Sequence, residues 1–157
     1  MVSRAVFMCG PAGSGKTTVA MRLVETEGLT RLSVDEEAWK RGFRSHPIPV
    51  QDAEEIDVLL RERLTELLTA NRGVVLDYSF ATRAVRDDYR AFVAAFGVVP
   101  EIVFVDTPRD VALQRIRERR GEDANDAVLS VETARRFYDG FEIPTPSEGP
   151  LTVVSGA

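Results

Sequence analysis

The nine residues Gly10-Pro11-Ala12-Gly13-Ser14-Gly15-Lys16-Thr17-Thr18 place three glycines, one lysine and three hydroxyls between the apolar run "RAVFMC" and the segment "VAMRLVETEG". Gly10, Gly15, Lys16 and Thr17 satisfy the spacing G-x-x-x-x-G-K-[ST]. The chemistry is that of a phosphate cradle. Gly10, Gly13 and Gly15 let the backbone bend and turn its N–H groups inward. A helix beginning at Lys16 adds the positive end of its dipole. Lys16 reaches the β- and γ-phosphates of a nucleotide, and Thr17 offers a hydroxyl to Mg2+. ATP and Mg2+ are therefore the expected cofactors.

Three acids end apolar stretches further along. Asp35 closes "LTRLSVD", nineteen residues after Lys16. It faces the cleft that the loop opens, where it takes a proton from an attacking hydroxyl, or else it caps a helix over "EEAWK". Asp77 ends Val74-Val75-Leu76 and suits water-mediated binding of Mg2+, water positioning, or a plain strand-end turn. Asp106 holds the same place after "EIVFV" and reads as structural.

The elements that must position these groups follow from periodicity. Short apolar runs at 4–9, 29–35, 73–77, 101–106 and 151–155 predict strands. Helices are expected over 16–27, stopped by Gly28, over 82–96, stopped by Gly97, and from Ser130 to Gly140. Asp52 and Glu55 stand at capping-box spacing before Ile56, Leu60, Leu64, Leu67 and Leu68. Thr107 caps and Pro108 opens a helix reaching about Arg119. "HPIPV" (46–50) and the polar, mobile 121–127 read as loops. Alternating strands and helices predict an α/β fold: three layers around a five-stranded parallel sheet, one domain over 1–157. The loops after Cys9, Val34, Asp77 and Asp106 should line one cleft.

Composition narrows the partners. A net charge of −5 argues against broad binding to a nucleic-acid backbone. No apolar run approaches the roughly 20 residues that span a bilayer. The N-terminal decapeptide lacks signal-peptide shape, and a single cysteine, Cys9, suits a reducing cytoplasm. A cytoplasmic monomer or homodimer, without membrane attachment, is expected. Trp39, Phe43 and His46 in "EEAWKRGFRSHPIP" stack on a planar or sugar-bearing molecule, or Trp39 anchors a short helix.

Lys16, Asp35, "VVLDYSFATRAVRDDYR" and the Arg-rich segment "VDTPRDVALQRIRERRG" together resemble the P-loop kinases that include polynucleotide kinases, zeta toxins and chloramphenicol phosphotransferase. The chain looks especially like small AAA-type ATP-binding domains with a nucleoside-kinase-like build. The resemblance implies ATP-dependent transfer of a γ-phosphate to a hydroxyl. It makes Asp35 the general base, Asp77 the strand-three acid, and Arg83 and Arg86 basic groups near the acceptor. It makes Arg115 and Arg119 the phosphate clamps of a small lid around 115–128, and it places adenine between that lid and 139–150. Trp39 joins Asp35, Arg83 and Arg86 as an expected substrate contact. The acceptor is then a small molecule or nucleotide. The alternatives are a 5′-hydroxyl polynucleotide kinase, disfavoured by the acidic charge, and a nucleotide-binding switch or ATPase module.

Overall fold

The computed structural model describes residues 3–157. In chain order the strands are β1 (Ala5–Cys9), β2 (Thr30–Ser33), β3 (Ser45–His46), β4 (Val74–Asp77), β5 (Glu101–Asp106), β6 (Val128–Leu129) and β7 (Leu151–Ser155). The helices are α1 (Lys16–Glu27), α2 (Val34–Lys40), α3 (Val50–Thr69), α4 (Arg83–Ala94), α5 (Arg109–Arg117) and α6 (Val131–Asp139). Five strands form one parallel sheet in the order β2-β4-β1-β5-β7.

Alternation along β1 divides the core. Ala5, Phe7 and Cys9 point into a cluster with Ile56, Leu60 and Leu64 of α3 and Tyr89 and Val93 of α4. Val6 and Met8 point the other way, toward Ala20 and the apolar side of α1. Burial on both faces explains why β1 and β4 read as near-continuous apolar runs. The chain first builds β2 and β4 to one side of β1, then β5 and β7 to the other. This reversal opens a crevice beyond the carboxyl end of β1, where the glycine-rich loop begins.

Several boundaries differ from expectation, each for a local reason. β2 ends at Ser33, not Asp35, because the Ser33 hydroxyl accepts from Glu36 N at 3.2 Å and starts α2. Asp35 therefore lies in the first turn of α2. α3 begins at Val50, so Asp52 and Glu55 do not form a cap; both carboxylates pair with Arg41, at 3.3 and 2.5 Å. α5 begins one residue after Pro108, and the Thr107 hydroxyl donates to Ser14 O at 2.6 Å instead of capping. That bond fixes the end of β5 to the glycine-rich loop.

The segment expected as a mobile loop is tied down. Asp126 Oδ2 accepts from Arg120 N at 3.0 Å and Glu122 N at 3.1 Å, closing a turn that contains the 3-10 helix Ala124–Asp126. β6 then pairs with β3, His46 opposite Leu129, although "HPIPV" read as irregular. Leu113, Ile116, Leu129 and Ala134 give α5, β6 and α6 a small core of their own. Among the described residues, no helix is long and apolar enough to cross a membrane.

Candidate active site

Gly13 and Gly15 adopt φ of 83° and 93°, and a Cβ on Gly13 would sit 2.4 Å from Ala112 O. Only glycine fits that contact. The loop is closed by Ser14 N donating to Pro11 O at 3.1 Å and fastened to the neighbouring strand end by Gly10 N donating to Ser79 O, also at 3.1 Å. Arg115 braces it from α5, donating to Gly13 O at 3.2 Å and Gly156 O at 2.5 Å.

Two cavities meet at this loop. The outer one, about 740 Å3, is lined by Gly13, Gly15, Lys16, Thr17 and Thr18, and by Arg115 and Arg119 across from them. The inner one, about 590 Å3, runs beneath α6 between α2, α3 and the segment after β4. Pro11 and Ala12 border the inner cavity, with Tyr78, Phe80, Phe137 and Phe141 supplying much of its apolar wall. Lys16, Asp35 and Arg119 line both. They mark the junction between a phosphate-binding space and a separate space sized for a small molecule.

Each group at the junction has a defined setting. Asp35 is held by the start of α2, with His46 Nε2 3.5 Å from its Oδ1. Arg119 donates to Ala127 O at 3.2 Å. Burial lowers the Arg119 pKa from its ordinary value, and the charges of Asp35 and Asp126 oppose the shift. The guanidinium stays cationic at neutral pH.

Thr17 Oγ1 donates to Asp77 Oδ2 at 2.9 Å, uniting the two residues expected at a metal. Asp77 Oδ1 is buried and has no hydrogen-bond partner among the described residues. A hydroxyl beside a buried, unsatisfied carboxylate oxygen is a donor set that fits Mg2+. Arg31, which sequence reasoning missed, also grips Asp77 Oδ2 through Nε and Nη2, at 2.9 and 2.7 Å.

Other expected residues lie elsewhere. Arg86 is fully buried; its Nε donates to Glu148 at 2.7 Å and its Nη1 to Phe80 O at 2.6 Å, so its charge is consumed inside the protein. Arg83 is exposed and donates to Ser147 Oγ at 3.2 Å, lining neither cavity. Trp39 also lines neither; Arg44 stacks on it, its Cζ 3.8 Å from the ring centroid. The segment 139–150, expected at the adenine, instead gives Gly140 and Phe141 to the inner cavity and nothing to the outer one. His46 is half-buried on the inner wall.

The family described as an AAA domain matches residues 6–144. Shikimate kinase of Acinetobacter baylyi is 31% identical over 143 residues, covering 90% of this chain and 75% of that protein. A Chloroflexus aurantiacus protein provisionally assigned as a kinase superposes with a TM-score of 0.80 at 17% identity, over 99% of this chain and 89% of its own. A gluconokinase from Sinorhizobium meliloti gives 0.70 at 20% identity, over 99% and 84%. The two structural likenesses establish the fold.

Proposed function

The chain belongs to the AAA domain family, in its small P-loop kinase-like form, and from that premise we propose that it transfers the γ-phosphoryl group of ATP to a hydroxyl of a small molecule. One observation carries the reading: Lys16, Asp35 and Arg119 stand together where the phosphate cavity meets a second cavity with a largely apolar wall. A simple nucleotide switch has no need of that second space. The acidic charge and the volume of the inner cavity, about 590 Å3, favour a small acceptor over a nucleic-acid strand.

The glycine-rich loop and the N-terminus of α1 bind the phosphates. An acceptor in the inner cavity presents its hydroxyl to Asp35, which takes the proton as the oxygen attacks. A bond forms between that oxygen and the γ-phosphorus, the bond from phosphorus to the β,γ-bridging oxygen breaks, and ADP leaves. Lys16 and Arg119 stabilise the charge on the moving group. Arg115 holds the loop in shape through Gly13 O and Gly156 O. Thr17 and Asp77 would hold Mg2+, whose chemistry is to neutralise phosphate charge. Residues 115–128 act as the lid that excludes water, with Arg119 on its inner side.

The shikimate kinase relative makes a polyhydroxylated ring acid one candidate acceptor. A panel of such acids, sugars, nucleosides, nucleotides, aminoglycosides and amphenicols, incubated with Mg·ATP and read by mass spectrometry, tests the proposal. A phosphate adduct formed by the wild type and lost in Lys16→Ala is the expected result. ADP release that no acceptor stimulates would favour an ATPase or switch.

A further inference from the structure

Arg31 belongs to β2, two residues before Ser33, which pairs with Asp77 of β4. Side chains two apart share one face of a strand, so Arg31 reaches along the sheet to that carboxylate. Its side chain is 11% exposed and that of Asp77 is 1% exposed. Asp77 Oδ2 accepts from Thr17 Oγ1 and from both Nε and Nη2 of Arg31, whereas Oδ1 has no partner among the described residues. The same guanidinium extends to Glu36 Oε1 at 3.3 Å and to Asn125 Oδ1, in the lid turn, at 3.2 Å.

A buried carboxylate at a metal site ordinarily waits for the metal's charge. Here the protein supplies a cation of its own, bonded twice to one oxygen. From this geometry we infer that Arg31 is a resident competitor of the divalent cation for Asp77, weakening the ion's hold there and coupling its entry to the lid turn through Asn125. The inference rests on the proposed Mg·ATP site. Its physical basis is plain. A guanidinium in contact with Asp77 cancels the attraction a divalent ion would feel and repels that ion in a poorly screened setting. An ion that takes Asp77 loosens the guanidinium, and with it the hydrogen bond to Asn125.

Mn2+ serves as the probe, titrated by electron paramagnetic resonance alone and with a non-hydrolysable ATP analogue. Wild type, Arg31→Met and Arg31→Lys are compared, with analogue affinity measured in the same samples. Arg31→Met should bind Mn2+ at least roughly tenfold more tightly, and Arg31→Lys should fall between the other two. Without ions Arg31→Met should melt below wild type, because Asp77 loses its cationic partner, and should gain more from added Mn2+. In wild type, Mn2+ should speed amide exchange across residues 124–126; this measurement stands even where Arg31→Met folds poorly. Equal or weaker Mn2+ binding by Arg31→Met, or lid exchange unmoved by Mn2+, overturns the inference. Failure of wild type to bind the analogue at all refutes the proposed function instead, while the titration of Mn2+ alone still decides the role of Arg31.

Discussion

Arg86 was expected at the substrate, and the structure gives it a different task that can be measured. Its side chain is 1% exposed and that of its partner Glu148 is 0% exposed. The pair is joined at 2.7 Å through Nε and 3.4 Å through Nη2. Arg86 Nη1 also holds the carbonyl of Phe80, a residue with φ of 50° on the floor of the inner cavity. Arg86→Met removes the cation and strands a buried carboxylate. Breaking such a pair costs about 3–5 kcal/mol. Arg90 Nη1, 3.3 Å from Glu148 Oε1, remains as a partial partner, which points to the lower end, about 3 kcal/mol. For a chain of this size that lowers the melting temperature by roughly 6–12 °C. Arg86→Met/Glu148→Met should recover part of the loss, because no charge is left stranded. Urea melts of the wild type, both single variants and the double variant measure the coupling. Wild-type stability in Arg86→Met together with a raised acceptor KM would return Arg86 to substrate binding and refute the buried-pair account.

Further expectations follow from the same geometry. Burial pushes the Glu148 carboxyl up, but hydrogen bonds from Arg86 and Thr145 N and the charges of Arg86 and Arg90 outweigh it and hold the pKa at about 2, against an ordinary 4.5. A lowered folded-state pKa gives stability that is present above pH 4.5 and lost as the pH falls toward 2, about 3 kcal/mol in all. Glu148→Gln should remove that acid limb from a plot of urea midpoint against pH. Gly13→Ala, forced into φ of 83° with its Cβ 2.4 Å from Ala112 O, should weaken ATP binding and cost about 1–3 kcal/mol, checked by calorimetry and thermal melts. Trp39→Phe should leave acceptor KM unchanged in steady-state kinetics, since Trp39 lines neither cavity.

What could be read in the sequence was local. The phosphate loop carries its glycines, lysine and hydroxyl within nine residues, and Gly28 ends α1 in the left-handed region as its position suggests. The core face of α3 appears directly in Ile56, Leu60 and Leu64. Val34 made "LTRLSVD" look like strand to its end, yet one hydrogen bond from Glu36 N to Ser33 turns the chain into helix. β3 and β6 have two residues each, too short to carry a period. The hardest features were pairings across distance. Arg86 meets Glu148 sixty-two positions away and Arg31 meets Asp77 forty-six away, so neither arginine differs in sequence from one on a solvated surface. The Thr107 hydroxyl likewise abandons a favourable cap for a carbonyl ninety-three residues earlier.

The central claim is that Asp35 serves chemistry rather than nucleotide binding, since it lies on α2, outside the glycine-rich loop, where the outer cavity meets the inner one. The most direct measurement sets Asp35→Asn against wild type, with ATP affinity by calorimetry and turnover with a competent acceptor followed in the same preparations. Near-wild-type ATP affinity with turnover reduced by about 10²–10⁴ is the predicted result. Full turnover in Asp35→Asn contradicts the account, as does loss of ATP binding in step with turnover.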